Sequence, residues 1–293
     1  MMLGIKMNKK IIGIFLCGFV NIFTLQIAYS ENKFQHEIYA TFTSLSTDSD
    51  IDTKIGTLGF QTFLNPISEG DYPLAESTFA ARQPYLAALY GIINRKISSD
   101  ELSGELYAWG GGIANKNFPL FLEYFYIKSN ESIKKFGYIS ETNIISKEVS
   151  LGIFVTDMSS VKMSYGKSSY KSDNLDRKNY GVQIKRIFSL GNSNYINLEV
   201  ASKYFTYTKN TKDENTKALG LILDYYLSKS FGFGIGGKIF KNALKISDSN
   251  SINFHVINYI APLISVNLGF EKNIENIGNF NGQAFTIGLA VRL

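Results

Sequence analysis

Three glycines have the spacing of a dinucleotide-binding loop. Gly232, Gly234 and Gly237 fit the pattern G-x-G-x-x-G. Such a loop binds a pyrophosphate only where it leaves a strand and opens a helix. Here Phe233 and Ile235 stand between the glycines, an alternation that predicts a strand with small residues on its inward face. No nucleotide cofactor is therefore predicted.

The two histidines are the other residues with catalytic potential. Hydrolytic chemistry needs a histidine beside a nucleophile or a carboxylate, and a zinc site needs several clustered ligands. His36 and His255 are far apart in sequence, and neither has an evident partner. His255 stands between Phe254 and Val256, so it is predicted to point inward. With no H-E-x-x-H motif and no acidic calcium loop, the sequence predicts no enzyme, metal or cofactor.

The first thirty residues predict a cleaved secretory signal peptide. Lysines at 9 and 10 precede an apolar stretch from 11 to 20, and Ala28-Tyr29-Ser30 resembles a cleavage site. The alternative is an N-terminal membrane anchor, but polar residues at 21, 24 and 26 interrupt the apolar stretch. The only cysteine, Cys17, lies within this leader. The predicted division is therefore a leader at 1–30 and a single domain at 31–293 without thiols or disulfides.

The charge balance gives no support for a nucleic-acid partner. The formal charge is +5, but Lys6, Lys9 and Lys10 belong to the leader. Without them, 27 basic residues face 25 acidic ones. A nucleic-acid-binding domain would carry a strong basic excess.

The rest of the chain alternates between apolar and polar residues. At 284–293, for example, Phe285, Ile287 and Leu289 share one face. Strands of about ten residues are long enough to cross a membrane at a tilt, whereas strands of soluble sandwiches average about five or six. We therefore predict an all-β, transmembrane, antiparallel up-and-down β-barrel of about 14 strands, with 12 or 16 as alternatives. The segments are 35–44, 53–64, 85–94, 101–113, 119–128, 148–155, 161–170, 179–190, 195–208, 217–227, 231–241, 251–259, 264–271 and 284–293.

The connections alternate between two kinds. Tight turns are predicted at 157–160, 191–194 and 228–230, and polar loops at 171–176, 209–214, 247–251 and 273–281. The stretch Asn130–Asn143 is predicted to be the longest exposed loop. Short turns at one end and loops at the other are typical of bacterial outer-membrane barrels, which predicts that location.

One stretch breaks the alternation. Residues 65–82 are not strand-like, and a short helix is predicted from Pro73 to Arg82. We expect this stretch to form a long turn on the periplasmic side, although it could instead cap or narrow the lumen. Under the turn interpretation, its deletion leaves conductance unchanged.

This stretch also carries a family resemblance. The block Phe63-Leu64-Asn65-Pro66-Ile67, followed by Pro73-Leu74-Ala75-Glu76 and Phe79, resembles a signature F-x-x-P-V … P-L-A-E-A-A-F-L of a porin family of Gram-negative outer membranes. The resemblance implies a passive pore. The residues that carry it are Pro66, Pro73, Leu74, Ala75, Glu76 and Phe79.

Charged residues fall opposite the apolar stripes and are predicted to line the pore. They are Lys185, Glu199, Lys203, Asp224, Lys238, Glu271 and Arg292. Because both signs occur, strong ion selectivity is not expected. The predicted function is passive diffusion of small hydrophilic solutes through a narrow water-filled lumen, with outer-membrane lipids and the barrel-assembly machinery as partners. The alternative is a closed structural or adhesive barrel that acts through its extracellular loops.

Overall fold

The computed structural model describes most of the chain after the predicted leader. The described residues are 33–47, 51–68, 70, 72–97, 100–135, 138–170, 175–209, 212–242, 249–275 and 282–293. The predicted signal peptide at 1–30 lies outside them. Within the described part, no helix has the length and apolarity needed to span a bilayer.

Fourteen antiparallel strands form one closed barrel. Each strand pairs with its neighbours in sequence, and β1 pairs with β14. The strands are β1 (Lys33–Thr47), β2 (Ile51–Ser68), β3 (Tyr85–Ile97), β4 (Asp100–Asn115), β5 (Phe118–Lys135), β6 (Tyr138–Thr156), β7 (Ser159–Tyr170), β8 (Leu175–Gly191), β9 (Asn194–Lys209), β10 (Lys212–Tyr226), β11 (Phe231–Asn242), β12 (Ser249–Ala261), β13 (Ile264–Glu275) and β14 (Gly282–Arg292). The predicted fold class and strand number are confirmed.

The two ends of the barrel differ. At one end the connections between β4 and β5, β6 and β7, and β8 and β9 take two residues each, and we call this the turn end. The β2–β3 connection belongs to the same end. At the tight turn after β8, Asn192 and Ser193 both have positive φ, as a two-residue hairpin requires. The opposite end is the loop end, where part of each connection lies outside the described residues.

The predicted long loop at Asn130–Asn143 is wrong. Strand β5 continues to Lys135 and β6 begins at Tyr138, and Asn130 pairs directly with Asn143. Polar residues on both faces resemble a loop in sequence, but a hairpin that extends beyond the apolar belt is solvated on both faces. The backbone ladder continues there without an apolar stripe.

The barrel has its apolar side chains on the outside. Leu219, Leu221 and Leu223 on β10 are exposed, as are Leu151 and Ile153 on β6. A belt of this kind suits contact with lipid. Buried apolar residues form two small clusters inside the turn end, Phe34 with Phe63 and Ile67, and Ile187 with Tyr195 and Tyr226.

Candidate functional site

The β2–β3 connection folds into the barrel and crosses its lumen. We call residues 70 and 72–84 the inner segment. After Pro73 the chain forms a 3-10 helix (Leu74–Glu76) and then the short helix α1 (Ser77–Ala81), which ends at Arg82 in a left-handed conformation. The predicted helix is confirmed. The expectation of a long turn outside the lumen is wrong, because the inner segment contacts inward-facing residues of β6, β8, β10 and β14.

The beginning of the inner segment is held by the β10–β11 turn and by β14. The backbone N–H of Leu74 donates to the carbonyl of Lys229 at 2.8 Å. The Lys229 ammonium donates to the carbonyl of Gly70 at 3.1 Å. From β14, Arg292 Nη2 donates to the carbonyl of Leu74 at 2.9 Å. Of these groups, the Leu74 N–H is one that the first turn of a helix leaves unpaired.

Glu76 carries the central contact of the inner segment. Its side chain is buried, and both carboxylate oxygens have a partner. The Tyr226 hydroxyl donates to Oε1 at 3.0 Å, and the Lys185 ammonium lies 2.7 Å from Oε2. A buried carboxylate is tolerated only where a cation and hydrogen bonds replace water. Glu76 therefore connects the inner segment to β8 and β10.

The end of the inner segment is held by β6 and the turn that follows it. Arg82 Nη2 donates to the carbonyl of Thr156 at 2.7 Å and lies 2.9 Å from Asp157 Oδ1. The Arg82 guanidinium also lies 4.3 Å from the centre of the Phe154 ring. Phe154 also contacts Phe79 of α1, with ring centres 5.6 Å apart. The inner segment is thus fixed at its beginning, middle and end.

Arg292 supports the inner segment at the turn end. Only 3% of its surface is exposed. Its Nε donates to Glu37 Oε2 at 2.7 Å, and its guanidinium lies over the rings of Phe34 and Tyr259. Arg292 was predicted to line the pore, and it does point inward. The structure places it against Leu74 and the barrel wall.

Three other predicted pore residues are also paired. Lys185 is the partner of Glu76, as described above. Glu199 accepts a hydrogen bond from the Gln183 amide at 2.7 Å. The Lys203 ammonium donates to both oxygens of Glu148, at 3.0 and 3.3 Å. Groups of both signs thus lie close together on the inner wall.

The buried Asp224 pairs with a histidine that is partly exposed. Its Oδ1 lies 2.8 Å from Nε2 of His255, and its Oδ2 accepts a hydrogen bond from Asn197 at 2.8 Å. His255 points inward as predicted, but the expectation that it has no partner is wrong. Gly234, between them on β11, leaves the space that both side chains occupy.

The remaining predicted residues lie closer to the loop end of the barrel. Lys238 is exposed and pairs in register with Ser251, which is buried. Glu271 is opposite Asn253 across the β12–β13 pair. The G-x-G-x-x-G pattern lies within β11, as predicted. Its last glycine, Gly237, shares the outward face of the strand with Ile235 and Ile239, so only the first two glycines face the lumen.

The sequence-based prediction missed a further charged pair on the inner wall. The Lys162 ammonium donates to Glu123 Oε2 at 3.0 Å, and the Tyr85 hydroxyl donates to Glu123 Oε1 at 3.0 Å. The signal was present, because Glu123 follows the exposed Leu122 and Lys162 precedes the exposed Met163. The same alternation assigns these side chains to the inner face.

A cavity of about 270 Å³ separates the inner segment from the wall formed by β2 to β9. It has space for several water molecules. Its lining includes charged groups of both signs and several aromatic rings, among them Arg82, Glu123, Lys162, Lys185, Glu199, Phe79, Phe121 and Phe154. The inner segment therefore narrows the lumen and leaves beside it a space with a charged and aromatic lining.

Two arrangements that are associated with catalysis are not found among the described residues. Within them, no group of three or more histidines, cysteines and carboxylates is arranged to hold a metal ion. Also among these residues, no hydroxyl hydrogen-bonds to the second ring nitrogen of His255. His36 lies outside the lumen, stacked on Phe60 with ring centres 5.8 Å apart.

The barrel is similar to several solved outer-membrane proteins. No family model matches the chain, and no curated protein sequence matches it. The outer membrane protein Omp33 from Acinetobacter baumannii superposes with a TM-score of 0.62 at 15% identity, covering 90% of this chain and 100% of that one. The CymD monoaromatic hydrocarbon channel gives 0.56 at 8% identity, covering 89% of each chain. A bacterial polysaccharide outer membrane secretin gives 0.52 at 9% identity, covering 90% and 99%.

These identities establish the fold alone. The chain has the architecture of outer-membrane β-barrels, and these neighbours are channels or other membrane barrels by their descriptions. The family signature seen at 63–79 is not matched by a family model, so membership of that porin family stays a prediction.

Proposed function

We propose that this chain is an outer-membrane channel through which small hydrophilic solutes diffuse passively. One observation carries the proposal. The outward face of the closed barrel is apolar, whereas its inner face carries charges of both signs around a cavity of about 270 Å³. A barrel with this distribution is stable in lipid and keeps water within its lumen.

In this proposal the inner segment sets the width of the channel. Solutes enter the lumen, pass the gap between α1 and the wall of β2 to β9, and leave at the turn end. The pairs Glu76–Lys185 and Glu123–Lys162 border this gap, so a solute meets both signs of charge. We expect size to be the main filter and ion preference to be weak. CymD is described as a channel for hydrocarbons, but the charged lining here favours polar solutes.

The membrane arrangement is part of the same proposal. The leader at 1–30 exports the chain, and the barrel-assembly machinery inserts it into the outer membrane. Because the turn end has the shorter connections, we assign it to the periplasm and the loop end to the outside. The channel needs no cofactor and performs no catalysis.

One observation favours a second candidate, a closed barrel that acts through its outer hairpins. The inner segment is anchored at three places, and its contacts are largely buried. If the gap beside it is too narrow for solutes, the β5–β6 hairpin at the loop end becomes the natural contact surface.

Single-channel conductance of the refolded chain in a planar bilayer separates these candidates. Stable stepwise currents are expected for a channel. A folded barrel that gives no current, with or without the inner segment, would overturn the channel proposal and favour the closed barrel. Folding is checked independently by the shift in gel mobility on heating.

A further inference from the structure

Lysines occupy matched positions on the outside of three neighbouring strands. Lys147 on β6 is directly opposite Lys167 on β7, and Lys167 is directly opposite Lys178 on β8. All three side chains are exposed. Like charges directly opposite each other on one face of a sheet destabilise it, so a row of three needs a compensating partner.

A second lysine pair lies beyond β9, two residues closer to the turn end, because Lys217 shares its lateral row with Tyr204 and Tyr180. Lys217 on β10 is directly opposite Lys241 on β11, and both are exposed. We call these five residues, Lys147, Lys167, Lys178, Lys217 and Lys241, the lysine band. The lysine band spans the six strands from β6 to β11. Each of these strands except β9 contributes one lysine to it.

The protein itself neutralises little of this charge. Asp176 Oδ2 lies 3.0 Å from the Lys167 ammonium. In the described part of the barrel, the other four lysines of the band have no carboxylate at ion-pair distance. The band therefore presents a net positive surface.

The band lies at the edge of the apolar belt on the loop-end side. Two positions closer to the turn end, each strand has an exposed apolar or aromatic residue on the same face. On β6 this residue is Val149, on β7 it is Tyr165 and on β8 it is Tyr180. Those two tyrosines are in contact, with ring centres 5.3 Å apart. Aromatic residues of this kind mark the level of the lipid headgroups.

We propose that the lysine band binds the phosphorylated headgroup of an anionic lipid in the leaflet that surrounds the loop end. Lysine ammonium groups provide point charges for phosphate, and the tyrosines below them contact the upper part of the acyl chains. Adjacent strands are about 4.8 Å apart, so three lysines in a row can contact one headgroup with two phosphates. The inference rests on the barrel facing lipid, not on its lumen being open.

The test uses the refolded chain in detergent, titrated with a diphosphorylated glucosamine-based glycolipid. The chain has a single tryptophan, Trp109. It lies in the same lateral row as Lys147, separated by Tyr126 on β5. Tryptophan fluorescence therefore reports binding at this place, and native mass spectrometry counts the bound lipids.

The variant Lys147→Gln/Lys167→Gln/Lys178→Gln removes the row. Its matched control is Lys54→Gln/Lys96→Gln/Lys272→Gln, three exposed outward lysines on β2, β3 and β13. Since each lysine near a charged lipid surface contributes about 1 kcal/mol, the row variant should bind roughly 100-fold more weakly. The control should change binding less than about twofold. If the triple variant does not fold, Lys147→Gln and Lys178→Gln alone should each weaken binding about fivefold.

Three results would overturn the inference. The first is equal binding of the same glycolipid after its phosphates are removed. The second is an equal loss of affinity in the control variant. The third is displacement of the lipid by inorganic phosphate at equal concentration, which would indicate a site for free phosphate. None of these outcomes depends on conductance, so the lipid site and the channel proposal fail separately.

Discussion

The Glu76 carboxylate lies 2.7 Å from the Lys185 ammonium, across the lumen from the strands that carry the inner segment. Both side chains are largely withdrawn from water, with 6% and 18% of their surfaces exposed. The Tyr226 hydroxyl holds the second carboxylate oxygen. In a turn exposed to the periplasm, this carboxylate would remain in contact with water. This ion pair therefore identifies the inner segment as part of the lumen.

The variant Glu76→Gln should loosen the inner segment. It removes the charge that Lys185 faces and leaves that cation less compensated, at a cost of roughly 2 kcal/mol in the free energy of unfolding. Conductance should rise because the segment leaves its position more often. Both quantities can be measured, by thermal unfolding and by single-channel recording.

The control is Glu148→Gln, which removes the partner of Lys203 elsewhere on the inner wall. That pair does not contact the inner segment, so conductance should stay near the original value. Equal conductance in the two variants would contradict the role assigned to Glu76.

Replacing residues 72–82 by a short glycine-serine link should increase conductance several-fold. The link removes α1 and Arg82, so the lumen opens to the full width of a fourteen-stranded barrel. The matched variant Phe79→Ala keeps the backbone and removes only the ring that contacts Phe154. It should give an intermediate conductance. Unchanged currents in both variants would restore the interpretation of this stretch as a passive turn.

The variant Lys238→Glu tests whether ions pass through the part of the lumen near the loop end. Lys238 is exposed on the inward face. Reversing the charge of this side chain should raise the cation-to-anion permeability ratio roughly twofold. The measurement is the reversal potential across a salt gradient. Lys241→Glu is the control, because Lys241 is on the opposite face of the same strand and points to lipid. Identical reversal potentials for Lys238→Glu and the original chain would show that the conducted ions do not pass close to Lys238.

The strand pattern could be predicted from sequence because lipid and water alternate on the two faces of each strand. Leu219, Leu221 and Leu223 show this directly. The ion pairs inside the barrel could not be predicted from sequence in the same way. Glu76 and Lys185, for example, are separated by more than 100 residues and belong to different elements. The alternation of apolar and polar residues assigns Lys185 to the inner face of β8. It does not predict where the side chains of the irregular inner segment, including Glu76, lie. The length of the β5–β6 hairpin was missed for a related reason, since outside the membrane a strand needs no apolar face.

The variant Gly234→Ala should destabilise the barrel. A methyl group at Gly234 would overlap Asp224 Oδ1 and the His255 ring, so this pair would have to separate. The expected loss is about 1–3 kcal/mol in the free energy of unfolding. Gly237→Ala, in the same strand, is the matched control, because the nearest atom to its new methyl group would be the Ser251 carbonyl at 3.4 Å. Alanine restricts the unfolded chain more than glycine does, so this control should be neutral or slightly stabilising, by about 0.5 kcal/mol. Equal stability of the two variants in thermal unfolding would show that Gly234 does not make room for the Asp224–His255 pair.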